Sequence, residues 1–272
     1  MHKLFVDGYL IGRMERALQE ERATPLLEAR ILGVRVHRVR MEDALQRIEW
    51  RIRRAEPNLV ITADANAVLI ALEDAEFHAL METAALVTPD GFGLLWAGRR
   101  LGQPFPERVS GVDLVEHLTR LSHEKGYRLY LLGAAPGVAE RAAQNLLARY
   151  PNAQIVGVQH GYFTPADEPA IVAQVAAAQP DVLLVGMGMP RQEKWAWRHR
   201  QQLGAPVMIG VGGSFDVYGG VVKRAPKWLQ RIGCEWLWRL IQDPRKIKKV
   251  RNLPRFAWRV LRERRQQEST TA

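Results

Sequence analysis

The chain reads as an α/β protein, a Rossmann-like and mostly parallel sheet with helices on both faces, carrying a basic helical appendage at its C-terminus. Three observations predict this. From residue 128 onward, short apolar runs alternate with longer amphipathic segments, the pattern of strand–helix–strand units whose strands are covered on both sides. Several runs end in glycine, as at Gly133, Gly186 and Gly210, which lets a chain leave a strand and turn sharply. The charge also divides: residues 223–272 hold 15 Lys+Arg against four acidic residues, or +11, while the other 222 residues hold 24 basic and 25 acidic side chains, or −1.

The expected organisation is an N-terminal arm over 1–30, an α/β domain over 31–222 and the appendage over 223–272. Met14–Ala29 has helical spacing. Ile31–Val36 alternates apolar and polar residues and reads as a strand. Met41–Ala55 places Ala44, Leu45, Ile48 and Ile52 on one helical face. Asn58–Ile61 reads as a strand, Ala67–Ala71 as helix, Asp74–Glu82 as a further helix, and Ala84–Val87 as a buried strand. Helix Leu94–Leu101 follows, then a loop over Pro104–Asp113 and helix Leu114–Lys125. Beyond it the expected strands are Arg128–Leu132, Gln154–Val158, Asp181–Val185 and Val207–Val211. The helices between them are Val138–Arg149, Pro169–Gln179 and Arg191–Gln202. A boundary falls near Gly220–Pro226, and Trp228–Arg265 reads as helical.

Composition excludes several classes. A single cysteine, Cys234, rules out an intrachain disulfide and multi-cysteine zinc sites, and it fits a reducing compartment. Met1–Arg13 lacks a signal-peptide core, and no apolar run approaches the roughly 20 residues of a membrane span. There is no complete Gly-x-Gly-x-x-Gly fingerprint, no P-loop, no Gly-x-Ser-x-Gly, no His-Glu-x-x-His and no Asp-x-Asp. Neither a cofactor nor a metal is expected. The basic tail points to a polyanionic partner, whether an anionic membrane surface, a diphosphate or a nucleic acid.

Chemistry concentrates in Val87-Thr-Pro-Asp-Gly-Phe-Gly93. Pro89 cannot continue a ladder, so the chain leaves the strand and turns at Asp90. In open α/β sheets ligands bind beyond the carboxyl ends of strands, where a carboxylate can take a proton from a hydroxyl. The alternative is that Asp90 is a turn residue or helix cap. Glycine loops at Gly133, Gly186, Gly188, Gly212 and Gly213 offer backbone N–H groups to a phosphate. Gln192 suits sugar hydroxyls, with capping by Glu193 and core packing by Trp195 as the plainer reading. Tyr162 and Phe163 suit a nucleobase or simple packing.

Taken together, Thr-Pro-Asp-Gly (88–91), Arg-Val-x-Gly-x-Asp (108–113), Gly-Tyr-Phe (161–163), Gly-x-Gly-x-Pro-x-Gln-Glu-x-Trp (186–195), Gly-Val-Gly-Gly-x-Phe-Asp (210–216), Arg-Ala-Pro (224–226) and Gly-x-Glu-Trp-Leu-x-Arg-Leu (233–240) occur in order. The set resembles the WecG/TagA/CpsF glycosyltransferase family over about Ile31 to Arg255. The resemblance implies an inverting, metal-independent transfer of a hexose, N-acetylmannosamine or a related sugar, from a UDP-sugar to a polyprenyl-diphosphate-linked saccharide in cell-surface polysaccharide synthesis. It implies Asp90 as the base, and Thr62, Arg108, Asp113 and Gln192 around the sugars. Tyr162 and Asp216 would lie near the uridine and Arg239 over the diphosphate. Two positions depart from the pattern. Asp64 stands where the family usually has Asn, and Lys246 and Lys249 stand where Arg is common, keeping the charge but losing the bidentate fork. The enzyme is then expected in the cytoplasm on the inner face of the bacterial plasma membrane, with homo-oligomerisation left open. The rival readings are a non-catalytic scaffold of a polysaccharide assembly complex and a nucleic-acid-binding module.

Overall fold

A computed structural model describes residues 25–226, 229, 238, 242 and 251–271. Six parallel strands form the central sheet in the order β4-β3-β8-β7-β5-β6. They are β3 (Asn58–Ala63), β4 (Leu86–Pro89), β5 (Arg128–Gly133), β6 (Gln154–Gln159), β7 (Val182–Gly186) and β8 (Val207–Gly210). β1 (Glu28–Ile31) and β2 (Val34–His37) form a separate antiparallel hairpin.

Two apolar layers sandwich the sheet, because successive residues of each strand face opposite sides. Leu59 and Ile61 belong to one layer and Val60 to the other. The first layer is closed by α2 (Ala65–Ala71), α3 (Ala75–Thr83), α4 (Phe92–Arg100), α7 (Glu168–Ala177), α8 (Arg191–Leu203) and α10 (Asn252–Thr271). The second is closed by α1 (Met41–Arg54), α5 (Gly111–Lys125), α6 (Val138–Arg149) and α9 (Ser214–Tyr218). The connection from β5 runs over the second layer to β6, and that from β7 over the first to β8. The crevice between β5 and β7 is therefore a topological switch point, where ligands bind such sheets.

The α/β expectation thus holds, with corrections of detail. β4 is Leu86–Pro89 rather than Ala84–Val87: Pro89, expected to stop the ladder, pairs with Ala63, and the strand ends after it. Ile31–Val36 is not one strand. Leu32 and Gly33 both take positive φ, at 53° and 81°, and fold residues 28–37 into a hairpin with Ile31 opposite Val34. No Asn-Gly signal announces that turn. Ala29, expected in the helical arm, is a buried strand residue; residues 1–24 lie outside the described residues. The expected loop over Pro104–Asp113 ends at Ser110, where α5 begins. Of the expected helix Trp228–Arg265, the described continuous part is Asn252 onward, and it runs on to Thr271.

Edge strand β6 carries a bulge. Leu129 pairs Ile155 and Tyr130 pairs Gly157, so Val156 is the extra residue. The Tyr130 ring covers Gly157, where a Cβ would stand 2.2 Å from it.

The opposite edge strand, β4, is met by His37. Its Nδ1 accepts the Val87 N–H at 2.9 Å. Burial, and then the charge of Arg35, lower its pKa from 6.5 to about 4. His37 is neutral in the fold, whereas the unfolded chain takes up a proton once pH falls below 6.5. Stability from this group is complete above pH 6.5 and is lost as pH falls toward 4, by about 3 kcal/mol. Denaturant titrations from pH 7 to 4 should lose that much more in the wild type than in His37→Gln; parallel curves would remove His37 from the acid response.

Candidate active site

Asp90 follows β4 at the carboxyl edge of the sheet and is tied to the end of β3 and to the segment before α5 by its neighbours. Its N–H donates to the Ala63 carbonyl at 2.8 Å, and Val109 N–H donates to the Pro89 carbonyl at 3.0 Å. Thr88 Oγ1 donates to the Val109 carbonyl at 2.9 Å. These bonds draw the segment before α5 along the strand end and place Gly111 N–H 3.1 Å from Asp90 Oδ2. The carboxylate thus lies at a helix N-terminus, whose dipole favours negative charge. A Cβ on Gly111 would stand 3.3 Å from both Thr62 Oγ1 and Val211 Cα, so β3, β4, β8 and α5 converge here.

Thr62 is buried, and its Oγ1 donates to the Gly210 carbonyl at 2.7 Å. Asp64 is the N-cap of α2, with Oδ1 accepting Ala67 N–H at 2.9 Å. This gives the carboxylate at that departure from the family pattern a local role, since Asp caps helices well.

Gln192 is 1% exposed. Its Oε1 accepts Gly188 N–H at 3.0 Å and Gly212 N–H at 3.2 Å, and its Nε2 donates to Glu193 Oε1 at 2.6 Å. The amide therefore sews together the loops after β7 and β8. A Cβ on Gly210 would meet Glu193 Oε1 at 2.4 Å, which accounts for glycine at that strand end. The third loop joins through Ala134 N–H, which donates to the Gly186 carbonyl at 2.9 Å. Gly133, Gly186, Gly188, Gly212 and Gly213 consequently line three adjacent strand ends. Gly188 and Gly212 have positive φ, 82° and 53°.

Tyr162 follows Gly161 at the rim and is 72% exposed. Phe163 instead packs: it lies edge-on to Trp195 at 5.9 Å, beneath the Arg191 guanidinium at 5.3 Å. Trp195 is core, as its plainer reading had it. Asp216 lies in α9; its carbonyl accepts N–H from Val221 and Val222, and Oδ2 would be 3.2 Å from a Cβ on Gly213.

Arg108 and Asp113 form an ion pair at 3.5 Å. Asp113 also accepts from Ser110 Oγ at 2.5 Å and pairs with Arg224. Burial opposes charge on this carboxylate, but the Ser110 hydroxyl, Arg224 and Arg108 outweigh it and hold the group below the usual carboxylate range. Ser110 and Asp113 are three apart, a Ser-x-x-Asp start signal for α5. Gly111 and Arg224 stood in the quoted motifs without an assigned role, which that signal could have given Gly111; Asn66 and Phe256 were missed.

Within the appendage, Trp238 Nε1 donates to the Lys223 carbonyl at 3.0 Å, and Gln242 exchanges two bonds with the Lys223 backbone. Its last helix returns to the body. Phe256 and Val260 of α10 belong to the first apolar layer. Arg239, Lys246 and Lys249 lie outside the described residues. Among the described residues, no three His, Cys, Asp or Glu side chains gather as a metal-ligand set.

Similarity to known proteins agrees with this arrangement. The N-acetylglucosaminyldiphosphoundecaprenol N-acetyl-beta-D-mannosaminyltransferases of Staphylococcus aureus strains MW2 and COL are each 32% identical over 237 residues, covering 86% of this chain and 92% of theirs. Residues 29–270 match the glycosyl transferase WecG/TagA/CpsF family. On that match, nearly the whole described chain with its Asp90 crevice included, the protein is an enzyme belonging to the WecG/TagA/CpsF family of glycosyltransferases.

Proposed function

We propose that this enzyme moves a hexose, N-acetylmannosamine or a related sugar, from a UDP-sugar to a saccharide on a polyprenyl diphosphate, with inversion and without a metal. The carrying observation is the carboxylate of Asp90, oriented by Gly111 N–H at a strand end beside Thr62. The relatives' names supply the sugar and the lipid-linked acceptor.

The donor diphosphate lies along the glycine loops, whose N–H groups and the cations of the appendage balance its charge. The acceptor hydroxyl approaches the anomeric carbon opposite the leaving group. Its oxygen forms the new bond as the bond to the phosphate oxygen breaks. Asp90 takes the hydroxyl proton, and UDP carries the bonding pair away. Tyr162 stacks at the uridine end and Asp216 lies near it. Gln192 acts by holding the Gly188 and Gly212 loops in register, and Arg108 reaches the sugars from its pair with Asp113. Arg239, Lys246 and Lys249 contact the diphosphate.

The test is UDP release across a panel of UDP-sugars with a lipid-diphosphate acceptor. Acceptor-dependent release with an N-acetylhexosamine donor is expected. No release with any donor would favour the scaffold reading, and tight salt-dependent nucleic-acid binding in its place would favour the third.

The same reading places the enzyme on the cytoplasmic leaflet, the neutral body bearing the chemistry and the appendage bearing the membrane contact. No described helix is long and apolar enough to cross a membrane. The outer stripe of α10 supplies the surface: Trp258 is 59% and Leu261 42% exposed, and Arg255, Arg262 and Arg265 are exposed beside them. Each cation contributes about 1 kcal/mol near an anionic leaflet. Replacing Arg262 and Arg265 by Gln and Trp258 by Ala should weaken sedimentation with phosphatidylglycerol vesicles by about tenfold or more. Undiminished sedimentation would move the contact elsewhere.

A further inference from the structure

We infer that the last helix of the appendage positions the catalytic turn: Phe256, and the hydrogen bond between Asn252 and Asn66, fix the backbone that carries Asp90. The inference rests on the transfer reading above and adds two positioning residues to it.

Three observations carry it. Asn252, the first residue of α10, donates through Nδ2 to Asn66 Oδ1 at 3.0 Å. Asn66 lies in the first turn of α2, two residues beyond the cap Asp64. Asp64 in turn lies close against the catalytic turn, leaving no room there for a side chain: a Cβ on Gly91 would stand 3.0 Å from Asp64 Cβ. One helical turn along α10, Phe256 is 2% exposed. Its Cε1 would lie 3.8 Å from a Cβ on Gly93, and Ala65 Cβ 3.1 Å from the same point.

The stretch from Asp90 to Gly93 is thus gripped from two directions. Gly111 holds the carboxylate in front, and α2 with α10 backs the main chain. The dock is not a surface graze, because Val260 as well as Phe256 is buried; the exposed Arg255–Glu73 ion pair at 2.5 Å lies at its margin. A base must sit within a fraction of an ångström of the proton it removes, and a displacement of about 1 Å can cost about 10²-fold. Neither Phe256 nor Asn252 needs to touch a substrate to matter. Each acts through the backbone of the turn, so its loss falls on kcat rather than on donor KM.

The test uses the full chain, with Phe256→Ala, Phe256→Leu, Asn66→Ala, Asn252→Ala and the double alanine variant. Hydrogen exchange of the Asp90 amide, which bonds to Ala63 in the wild type, should quicken in Phe256→Ala and return toward wild type in Phe256→Leu. Acceptor-dependent UDP release should lose about tenfold or more in kcat for Phe256→Ala with donor KM within about twofold, again restored by leucine. The two asparagine variants and their double should lose kcat by one common factor, about 3- to 10-fold, because either deletion breaks the same bond. Unchanged exchange and kcat in Phe256→Ala would overturn the inference, as would kcat and KM failing together with no rescue by leucine. A wild type that released no UDP would instead sink the transfer reading, and exchange alone would then decide whether α10 holds the turn.

Discussion

Asp90→Asn lowers turnover by at least about 10²-fold and leaves UDP affinity within about twofold of wild type. The substitution is nearly isosteric, and an amide oxygen can still accept the Gly111 N–H that now meets Oδ2 at 3.1 Å. The bond from Asp90 N–H to Ala63 is made by the backbone and is untouched. What the amide loses is the ability to take a proton, and general-base assistance is worth about 10²–10⁴-fold. In the proposed function UDP is held by the glycine loops rather than by this carboxylate, so a fall in kcat without a matching loss of affinity is the expected signature. Steady-state UDP release and UDP calorimetry on one preparation give both numbers. Turnover close to wild type would remove Asp90 from the base role and leave it a turn residue.

Gly133→Ala is expected to destabilise the fold by about 2–6 kcal/mol. Gly133 has φ 148°, a region essentially closed to residues with a Cβ, at about 1–3 kcal/mol. The added carbon would stand 2.4 Å from the Gly186 carbonyl oxygen, which is backbone and cannot swing away. Overpacking of that kind adds about 1–3 kcal/mol, against a total stability of about 5–15 kcal/mol. The thermal midpoint should fall by roughly 5–20 °C. Gly188→Ala is the control. Its φ is 82° with nothing within 4 Å of the new carbon, so only the backbone term, about 1 kcal/mol, applies. Equal midpoints for the two variants would mean that the β5–β7 junction relaxes freely.

Legibility in the sequence followed the range of the forces involved. Alternation of apolar runs and amphipathic segments is local, and the strands of the central sheet lie where that pattern places them to within a residue or two, the largest shift being β4, which runs on through Pro89. The turn at Leu32-Gly33 was hidden because a leucine takes a left-handed conformation there that its side chain does not advertise. Asp90, Thr62 and the glycine loops were visible as motifs, and the fold brings them to neighbouring strand ends. Gly111 was visible in the Arg-Val-x-Gly-x-Asp motif but without a role, because its importance lies in contacts with residues 21 and 49 positions earlier. Phe256 shows the same limit from the other side. Nothing local marks a phenylalanine in a basic tail as core, and only the tertiary packing reveals it as such. Gln192 was legible as a polar group near the crevice, but its partners, two backbone N–H groups on separate loops, were not.

The two margins of the sheet bear on how the protein behaves in concentrated solution. At one, Val156 breaks the ladder so that β6 makes a poor template for another strand. At the other, the imidazole of His37 occupies the Val87 amide that an incoming chain would seek. Acidification below the imidazole's folded value withdraws that cap and uncovers a free amide on a strand of Leu, Val and Thr. Turbidity arising as pH falls below about 4, and spared in a variant that cannot titrate there, is the colloidal behaviour expected of such an arrangement.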